Sequence, residues 1–332
     1  MKELYFALMS INLQLFAEMN TNVTTDSGLS VENKTYYDMT LIDEAQANLV
    51  HDQFAQKRPI PKNGGKKIEF RKFSSLPKAL TPLTEGVTPN GKKLSVTSIE
   101  AEVSQYGDYI VQSDVLELTS IDNTIVEATK ILGRQAGLTL DTITRNVLQS
   151  GKTVFYAPKA DGTAVTSRAN LDNTCVLTVD LVERVAAFLK KNNAPKINGD
   201  FVAIVHPYVV YDLRKDPQWR NPHEYKDTEN IYNGEIGKIG GVRFVESSEA
   251  KVYDGGVFGS LFLADGAYGT TEITGGGLET IIKQKGSAGT ADPLDQRSSI
   301  GWKAMKTAEI LVDHYLVRVE CKSALSDQVE AN

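Results

Sequence analysis

Four histidines are the first residues to test for chemistry, because imidazole can act as a general base and as a metal ligand near neutral pH. They are His51, His206, His223 and His314. None has a second His or a Cys at metal-ligand spacing, and His223-Glu224 is not followed by the partner histidine of a zinc-protease motif. His206 stands between an apolar run and Pro207, which is typical of a histidine that ends a strand.

Two glycine-containing segments resemble phosphate-binding loops only in part. Gln149-Ser150-Gly151-Lys152-Thr153 lacks the glycine that such a loop needs five residues earlier, and it closes a predicted helix where the loop would open one. Gly275-Gly276-Gly277 lacks the spacing of a dinucleotide-binding turn. Asp292, Asp295 and Arg297 cluster in a turn, where turn formation and ion pairing explain them better than catalysis does. The sequence predicts no catalytic residue, no metal and no cofactor, and therefore no enzyme.

The composition is that of an ordinary globular protein. The chain has 332 residues, of which 41% are hydrophobic and 23% are charged, so it can build two or three lobes with separate cores. A net charge of −6 argues against a nucleic-acid-binding protein, which needs clustered Lys and Arg. Cys175 and Cys321 are expected to be buried thiols in a reducing compartment. No apolar run reaches the length of a membrane span, so we expect no membrane association.

A proline-free stretch from Ser120 to Ser150 predicts the longest helix, here called the spine helix. Its apolar residues recur at the spacing of one helix face: Ile121, Ile125, Ala128, Leu132, Ala136, Ile143 and Val147. Gly133 and Gly137 lower helix propensity, so we expect another backbone to approach there. The helix is either the core of one ordinary domain or a rod to which separate lobes attach.

The chain before the spine helix divides into three segments. Residues 1–33 are expected to form an N-terminal arm, because 19–33 are rich in Thr, Asn, Ser and Asp and predict an extended segment. A helix is expected at 34–57, reaching to Gln56 before Arg58-Pro59 ends it. Residues 58–106 predict a long β-hairpin with one bulge, and they form the basic part of an acidic chain: Lys62, Lys66, Lys67, Arg71, Lys72, Lys78, Lys92 and Lys93.

The role of this hairpin has three interpretations. It could be a solvated surface loop, or a nucleic-acid finger, although few aromatic residues are interleaved with its cations. We favour an arm that docks on an acidic surface of another copy of the chain, because neighbouring like charges repel within an isolated arm.

The remaining chain predicts two kinds of structure. A peripheral region at 107–177 contains the spine helix, and residues 178–265 read as a compact α/β lobe with a helix at Thr178–Asn192 and a buried strand at Phe201–Val205. Residues 266–332 return as strands and end in a polar tail. The polar segment Asp216–Gly234 is expected to be a long surface loop. The fold class is therefore α+β.

This order of segments resembles the shell fold of tailed-bacteriophage major capsid proteins, the Hong Kong ninety-seven type. Short motifs carry the resemblance. Two of them are Asn12-Leu13-Gln14-Leu15-Phe16-Ala17 and Ile239-Gly240-Gly241-Val242-Arg243-Phe244-Val245. The others are similar to the C-terminal run of the N-four-like coat subfamily: Asp292-Pro293-Leu294-Asp295-Gln296-Arg297 with Ile300-Gly301-Trp302-Lys303, and Ala308-Glu309-Ile310-Leu311. The resemblance implies an extended loop at 58–106, a peripheral domain around the spine helix and an axial domain at 178–265.

The resemblance also implies a function and partners. The chain is expected to self-assemble through hexamers and pentamers into the icosahedral shell that encloses the DNA of a tailed phage, in the host cytoplasm. A separate scaffolding protein and a portal at one vertex are the other expected partners, with no sequence-specific DNA binding. The expected inter-subunit contacts are Lys66, Lys67, Arg71, Lys72, Lys92, Lys93, Asp295 and Arg297. An encapsulin-like compartment and an unrelated α/β enzyme remain alternatives.

The start of the chain leaves one question open. Residues 4–11 superficially resemble a secretory signal, but Glu3 and the polar Ser10, Asn12 and Gln14 argue against secretion. Met9 is a second candidate for the native start.

Overall fold

The computed structural model describes residues 41–42, 44–45, 49–73, 76, 78–83, 85–88, 90–119, 124–219, 235–287 and 292–332. The predicted arm at 1–33, residues 34–40, 43 and 46–48 of the predicted helix, the motif at 12–17, His223 and residues 220–234 of the predicted loop lie outside these residues. Among the helices in these ranges, none is both long and apolar enough to cross a bilayer.

The strands and helices follow one another in a mixed order. The strands are β1 (Gln56–Lys57), β2 (Lys67–Phe73), β3 (Val96–Glu102), β4 (Ser104–Ser113), β5 (Val154–Tyr156), β6 (Phe201–Val205), β7 (Glu235–Ile239), β8 (Val242–Glu246), β9 (Val252–Tyr253), β10 (Val257–Leu263), β11 (Tyr268–Thr271), β12 (Glu279–Lys283), β13 (Arg297–Ile310) and β14 (Leu316–Cys321). The helices are α1 (helical at 41–42 and 44–45), α2 (Asp114–Thr119), α3 (Thr124–Gln149), α4 (Val179–Lys191) and α5 (Pro207–Leu213). The α+β class and the predicted helices at 120–150 and 178–192 are confirmed, except that 120–123 is not described.

A five-stranded sheet is built around β13. This strand pairs antiparallel with β4 from Arg297↔Ser113 to Lys306↔Ser104, and also with β12 and β11. The spine helix α3 covers one face of the sheet, where Leu132 and Ala136 pack in one buried cluster with Ile300, Trp302 and Ala304. The sequence predicted only a mixed run at Trp302–Leu311, because glycine and small polar residues hide the length of this strand.

A second sheet has seven strands, six of them in the order β5-β14-β10-β6-β8-β7, with β9 pairing on β10. Its strand β6 is buried along its whole length because both faces are covered. Phe201, Ala203 and Val205 face the cluster that contains α4 and α5, whereas Val202 and Ile204 face a cluster with Leu148 of the spine helix. Thr178 caps α4 by accepting a hydrogen bond from the N–H of Leu181.

Two strands lie in a different sheet from the one that their predicted segment suggests. Residues 107–177 and 266–332 were expected to belong to the peripheral region, but β5 and β14 pair within the seven-stranded sheet. Apolar burial explains this placement, because Val317, Val319 and Cys321 enter the same core as α4. Glu320 on this strand is also buried, and it binds Arg168 through Nε and Nη2 at 2.7 and 2.6 Å.

Helix α1 packs against the two glycines of the spine helix, as their positions predicted. A Cβ atom at Gly133 would lie 2.8 Å from the carbonyl oxygen of Leu41, and one at Gly137 would overlap the carbonyl oxygen of Ala45. The extension of this helix to Gln56 is wrong. Residues 51–54 form a turn, because Asp141 accepts hydrogen bonds from the N–H groups of Val50 and His51.

We expect Gly137→Ala to destabilise the subunit. Alanine gains up to about 1 kcal/mol of helix propensity, but the overlap with Ala45 should cost about 1–3 kcal/mol. Urea unfolding should show a net loss of about 1 kcal/mol or more. Gly91→Ala is the control, because a Cβ atom at that position would have no neighbouring atom within 4 Å. Equal unfolding midpoints for both variants would contradict the close packing of α1.

Candidate inter-subunit surfaces

His206, tested first as a possible base, has a structural role. It caps α5, where its Nδ1 accepts a hydrogen bond from the N–H of Tyr208 at 3.2 Å. Its ring lies 4.8 Å from the ring of Phe258, and burial lowers its pKa to about 4. The ring is therefore neutral at neutral pH, and the prediction of a strand-end histidine is confirmed. Among the described residues, no group of three or more His, Cys, Asp or Glu could hold a metal.

Strands β2 and β3 form the predicted hairpin. They pair antiparallel from Lys67↔Glu102 to Phe73↔Val96 without a register shift, so the predicted bulge is wrong. One face carries the apolar residues Phe70 and Ala101, which are buried where the hairpin leaves the body. Val96 lies on the opposite face of the hairpin, because it pairs with Phe73 at an alternate position of the ladder, and it is exposed.

The hairpin supplies some partners for its own cations. Glu69 and Glu100 stand directly opposite each other in the ladder, and two carboxylates at this distance repel unless cations lie beside them. Arg71 lies 3.1 Å from Glu69, which lowers the pKa of that carboxyl, and Lys67 lies 3.8 Å from Glu100. Arg71 and Lys67 therefore already have carboxylate partners within the hairpin, and their contact with another subunit stays a prediction.

The far end of the hairpin exposes large apolar side chains. Leu80 and Leu83 are 82% and 78% exposed, and Leu76, Val87 and Leu94 are more than half exposed. Scattered exposed leucines are common, but a concentration of this size on a narrow projection marks an interaction surface. This apolar tip was not predicted from the sequence, in which the lysines were the dominant signal of the segment.

A second exposed surface, here called the β4–α2 surface, lies on the body of the subunit. It consists of Tyr109, Val111, Val115, Leu116 and Leu118, with Tyr109 68% and Leu118 81% exposed. Beside it, Gly107, Tyr109, Ile281 and Gly301 line part of a groove of about 340 Å³ on the sheet face opposite the spine helix. This surface was not predicted from the sequence, although the apolar residues Val115, Leu116 and Leu118 of α2 are a signal for it.

Carboxylates border the β4–α2 surface. Asp114 precedes Val115 in the chain and belongs to this border. Asp108 does not, because its side chain lies on the sheet face that the spine helix covers, where Nε2 of Gln135 donates to its Oδ2 at 2.6 Å. Hydrogen bonds from Gln135 and Tyr109 lower the pKa of Asp108. The turn with Asp295 lies beside α2, because the N–H of Asp114 donates to the carbonyl of Gln296.

The predicted contact residues occupy two separate places. Lys66, Lys67, Arg71, Lys72, Lys92 and Lys93 belong to the hairpin, whereas Asp295 and Arg297 belong to the turn before β13. Asp295 is exposed with φ 51°, and the N–H of Arg297 donates to Asp292 at 2.8 Å. The turn and ion-pair roles predicted for Asp292 and Arg297 are present. Their part in subunit contacts stays a prediction.

Comparisons with known proteins give the family from a sequence model and the fold from solved structures. A family model described as "Phage capsid protein" matches residues 96–316. The capsid of cyanophage P-SCSP1u has a TM-score of 0.64 at 15% identity, covering 83% of this chain and 88% of that one. The cyanophage Pam1 capsid gives 0.65 at 12% identity, covering 85% and 92%. The SrpI encapsulin of Synechococcus elongatus gives 0.52 at 10% identity, covering 82% and 86%. No curated protein sequence matches the chain.

We expect His206 to make stability depend on pH. Its folded pKa lies below the ordinary 6.5, so its contribution is complete above pH 6.5 and is lost as the pH falls towards about 4. The loss should be roughly 1 kcal/mol per pH unit in this window. His206→Asn keeps a capping oxygen but does not titrate there. Urea unfolding of unassembled subunits at pH 7.5 and 4.5 should show a larger loss for the unmodified chain. An equal loss for both would contradict this role.

Proposed function

Because this chain belongs to the phage capsid protein family, and is thus a structural component of the virion, we propose how its surfaces build the shell. The subunits associate by inserting the hairpin of one copy onto the β4–α2 surface of the next. The rings formed in this way are hexamers and pentamers, and these close into the icosahedral shell around the double-stranded DNA of a tailed phage.

The observation that carries this proposal is the presence of two different exposed surfaces on one subunit. The hairpin combines cations with an apolar tip, and the β4–α2 surface combines apolar side chains with bordering carboxylates. A contact between two unlike surfaces is heterologous, and such contacts generate rings when the rotation closes. Charge complementarity orients the approach, and burial of apolar side chains supplies most of the binding energy.

The remaining parts of the proposal concern partners and place. A separate scaffolding protein guides assembly in the host cytoplasm, and a portal occupies one vertex. The net charge of −6 suits a container that must not hold its DNA tightly. The protein performs no catalysis. Membership of the N-four-like subfamily rests on short motifs and stays a prediction.

An encapsulin-like compartment is the second candidate, because the SrpI encapsulin shares the fold. The family match favours the phage capsid. The contents of native particles separate the two, since packaged DNA identifies a phage and an enclosed enzyme identifies a compartment.

We expect the purified protein to assemble. Sedimentation and negative-stain microscopy should show rings or shells, with scaffold added if required, because each subunit leaves two apolar surfaces uncovered. Salt should slow the first steps, since charges are screened within about 3 Å at 1 M. A monodisperse monomer at high concentration under all these conditions would refute the proposal.

The double variant Leu80→Gln and Leu83→Gln should reduce assembly at least tenfold while leaving the circular dichroism of the subunit unchanged. The reason is that it removes two exposed apolar anchors, and each central anchor contributes about 1–2 kcal/mol or more to an interface. Ile131→Gln is the matched control, because it replaces another exposed apolar side chain, on the spine helix. Assembly at the rate of the control would exclude the tip from the contact.

Replacement of Lys66, Lys67, Arg71 and Lys72 by Glu is a second arm of this experiment. It should also block assembly, because it reverses the charge of the hairpin that approaches the carboxylates. Normal assembly with poor DNA packaging would instead place the hairpin against the genome.

A further inference from the structure

Residues 50–60, here called the strap, connect α1 to the hairpin and are bonded to the spine helix at their start. Oδ1 of Asp141 accepts hydrogen bonds from the N–H groups of Val50 and His51 at 2.9 and 2.7 Å. Oδ2 of the same carboxylate lies 2.6 Å from Nδ1 of His51. Both side chains are fully buried. One carboxylate therefore holds three groups of the strap in a fixed geometry.

The strap is also attached to the five-stranded sheet. Asp52 pairs with Lys306 of β13 at 3.0 Å, in a largely buried position. The hydroxyl of Tyr268 donates to the carbonyl of His51. Strand β1 pairs parallel with Gly269–Thr270, and Ile60 forms a further bridge with Ile273. These contacts fix the position at which the hairpin leaves the body.

A third attachment joins the strap to the seven-stranded sheet. Phe54 is 6% exposed and belongs to the cluster that covers the face of this sheet opposite α4 and α5. Its neighbours there include Val202, Ile204, Val245, Leu261 and Leu263. The strap thus contacts the spine helix and both sheets within eleven residues.

The C-terminal end of the spine helix is a separate joint to the seven-stranded sheet. Nε2 of Gln149 donates to the carbonyl of Gly259 at 2.7 Å, and the hydroxyl of Tyr253 donates to Oε1 of Gln149 at 2.9 Å. Arg145 donates from Nη1 to the carbonyl of Glu249 at 2.7 Å. This joint does not involve the strap, so it stays intact when the strap is loosened.

The crossings that follow β10 and β13 also connect the two sheets, because the N–H groups of Leu311 and Val312 donate to the carbonyl of Ala267. The strap is a further attachment at a different place, and each added attachment restricts the rotation of one sheet relative to the other.

The polar contacts of the strap fix its conformation more than they increase the stability of the fold. Nε2 of His51 is buried and has no hydrogen-bond partner among the described residues, which is unfavourable. Apolar side chains in the same place would often stabilise the fold at least as well. A buried polar network, in contrast, accepts only one arrangement of its donors and acceptors.

We propose that the strap sets the angle between the two sheets and, through that angle, the curvature of the shell. The first part concerns the subunit alone, and the second rests on the proposed function. Because neighbouring subunits repeat one contact around the shell, a change of a few degrees within each subunit changes the diameter of the closed particle. His51, Asp141 and Tyr268 are the positioning residues of this device.

The experiment compares conservative variants with matched controls. Tyr268→Phe removes only the hydroxyl that holds His51, and Tyr211→Phe makes the same change at a half-exposed ring. Asp141→Asn removes the charge beside His51. Its control, Asp265→Asn, makes the same substitution in an exposed turn. In unassembled subunits, hydrogen exchange of amides 50–57 should rise at least tenfold in the strap variants, with unchanged circular dichroism. Particles assembled from these variants should differ in diameter from those of the controls, or show a broader distribution.

The outcomes separate the two parts of the proposal. Unchanged exchange in Tyr268→Phe would show that the strap does not depend on these bonds and would overturn the proposal, even if Asp141→Asn fails to fold. Faster exchange with particles of unchanged, uniform diameter would overturn the link to curvature. If the unmodified chain forms no particles, the proposed function fails, while the exchange measurement still decides whether the strap fixes the subunit.

Discussion

Burial of the apolar stripe of the spine helix against β13 is the interaction on which the other contacts depend. Leu132 and Ala136 lie against Ile300, Trp302 and Ala304, and full burial of each large side chain contributes about 1.5–3 kcal/mol. The helix thereby becomes a rigid support whose remaining faces are available. Its glycines accept α1, Asp141 holds the strap, and Gln149 joins the second sheet. None of these contacts could form in the same place if the helix were free to shift along β13.

The polar contacts of the fold have a different distribution from the apolar ones. Apolar side chains fill the interior of each lobe, whereas buried charged groups concentrate where elements meet. Glu320 binds Arg168 where the loop before α4 crosses β14, and Asp52 binds Lys306 beside the strap. Losing Asp52 or Lys306 leaves a largely buried charge without this partner, which costs on the order of 3–5 kcal/mol. Substitutions at these two positions are therefore expected to be strongly destabilising. Glu320 depends less on one partner, because Arg318 also lies 3.0 Å from its carboxylate.

Much of the fold could be predicted because it depends on local patterns. The spine helix, α4 and β6 each carry a periodic or continuous apolar signal. The two glycines of the spine helix predicted that another backbone packs closely against it. The strap could not be predicted, because its bonds to Asp141 and Tyr268 join residues far apart in the chain and leave no periodic trace. The placement of β14 failed for a similar reason, since alternation within one strand does not say which sheet it enters. The apolar tip of the hairpin was missed because its large apolar residues follow no period and are spread among prolines, glycines and lysines.

The hairpin affects the solubility of the subunit before assembly. Among the residues that the structure describes, its strands pair only with each other, so their outer edges present backbone groups without a strand partner, and its tip is apolar. An open strand edge of this kind is a template for aggregation. Lysines along an edge oppose such pairing, because stacking two copies in register would bring like charges together. The cations of this segment thus act as gatekeepers that keep newly made chains soluble until they find the correct neighbour.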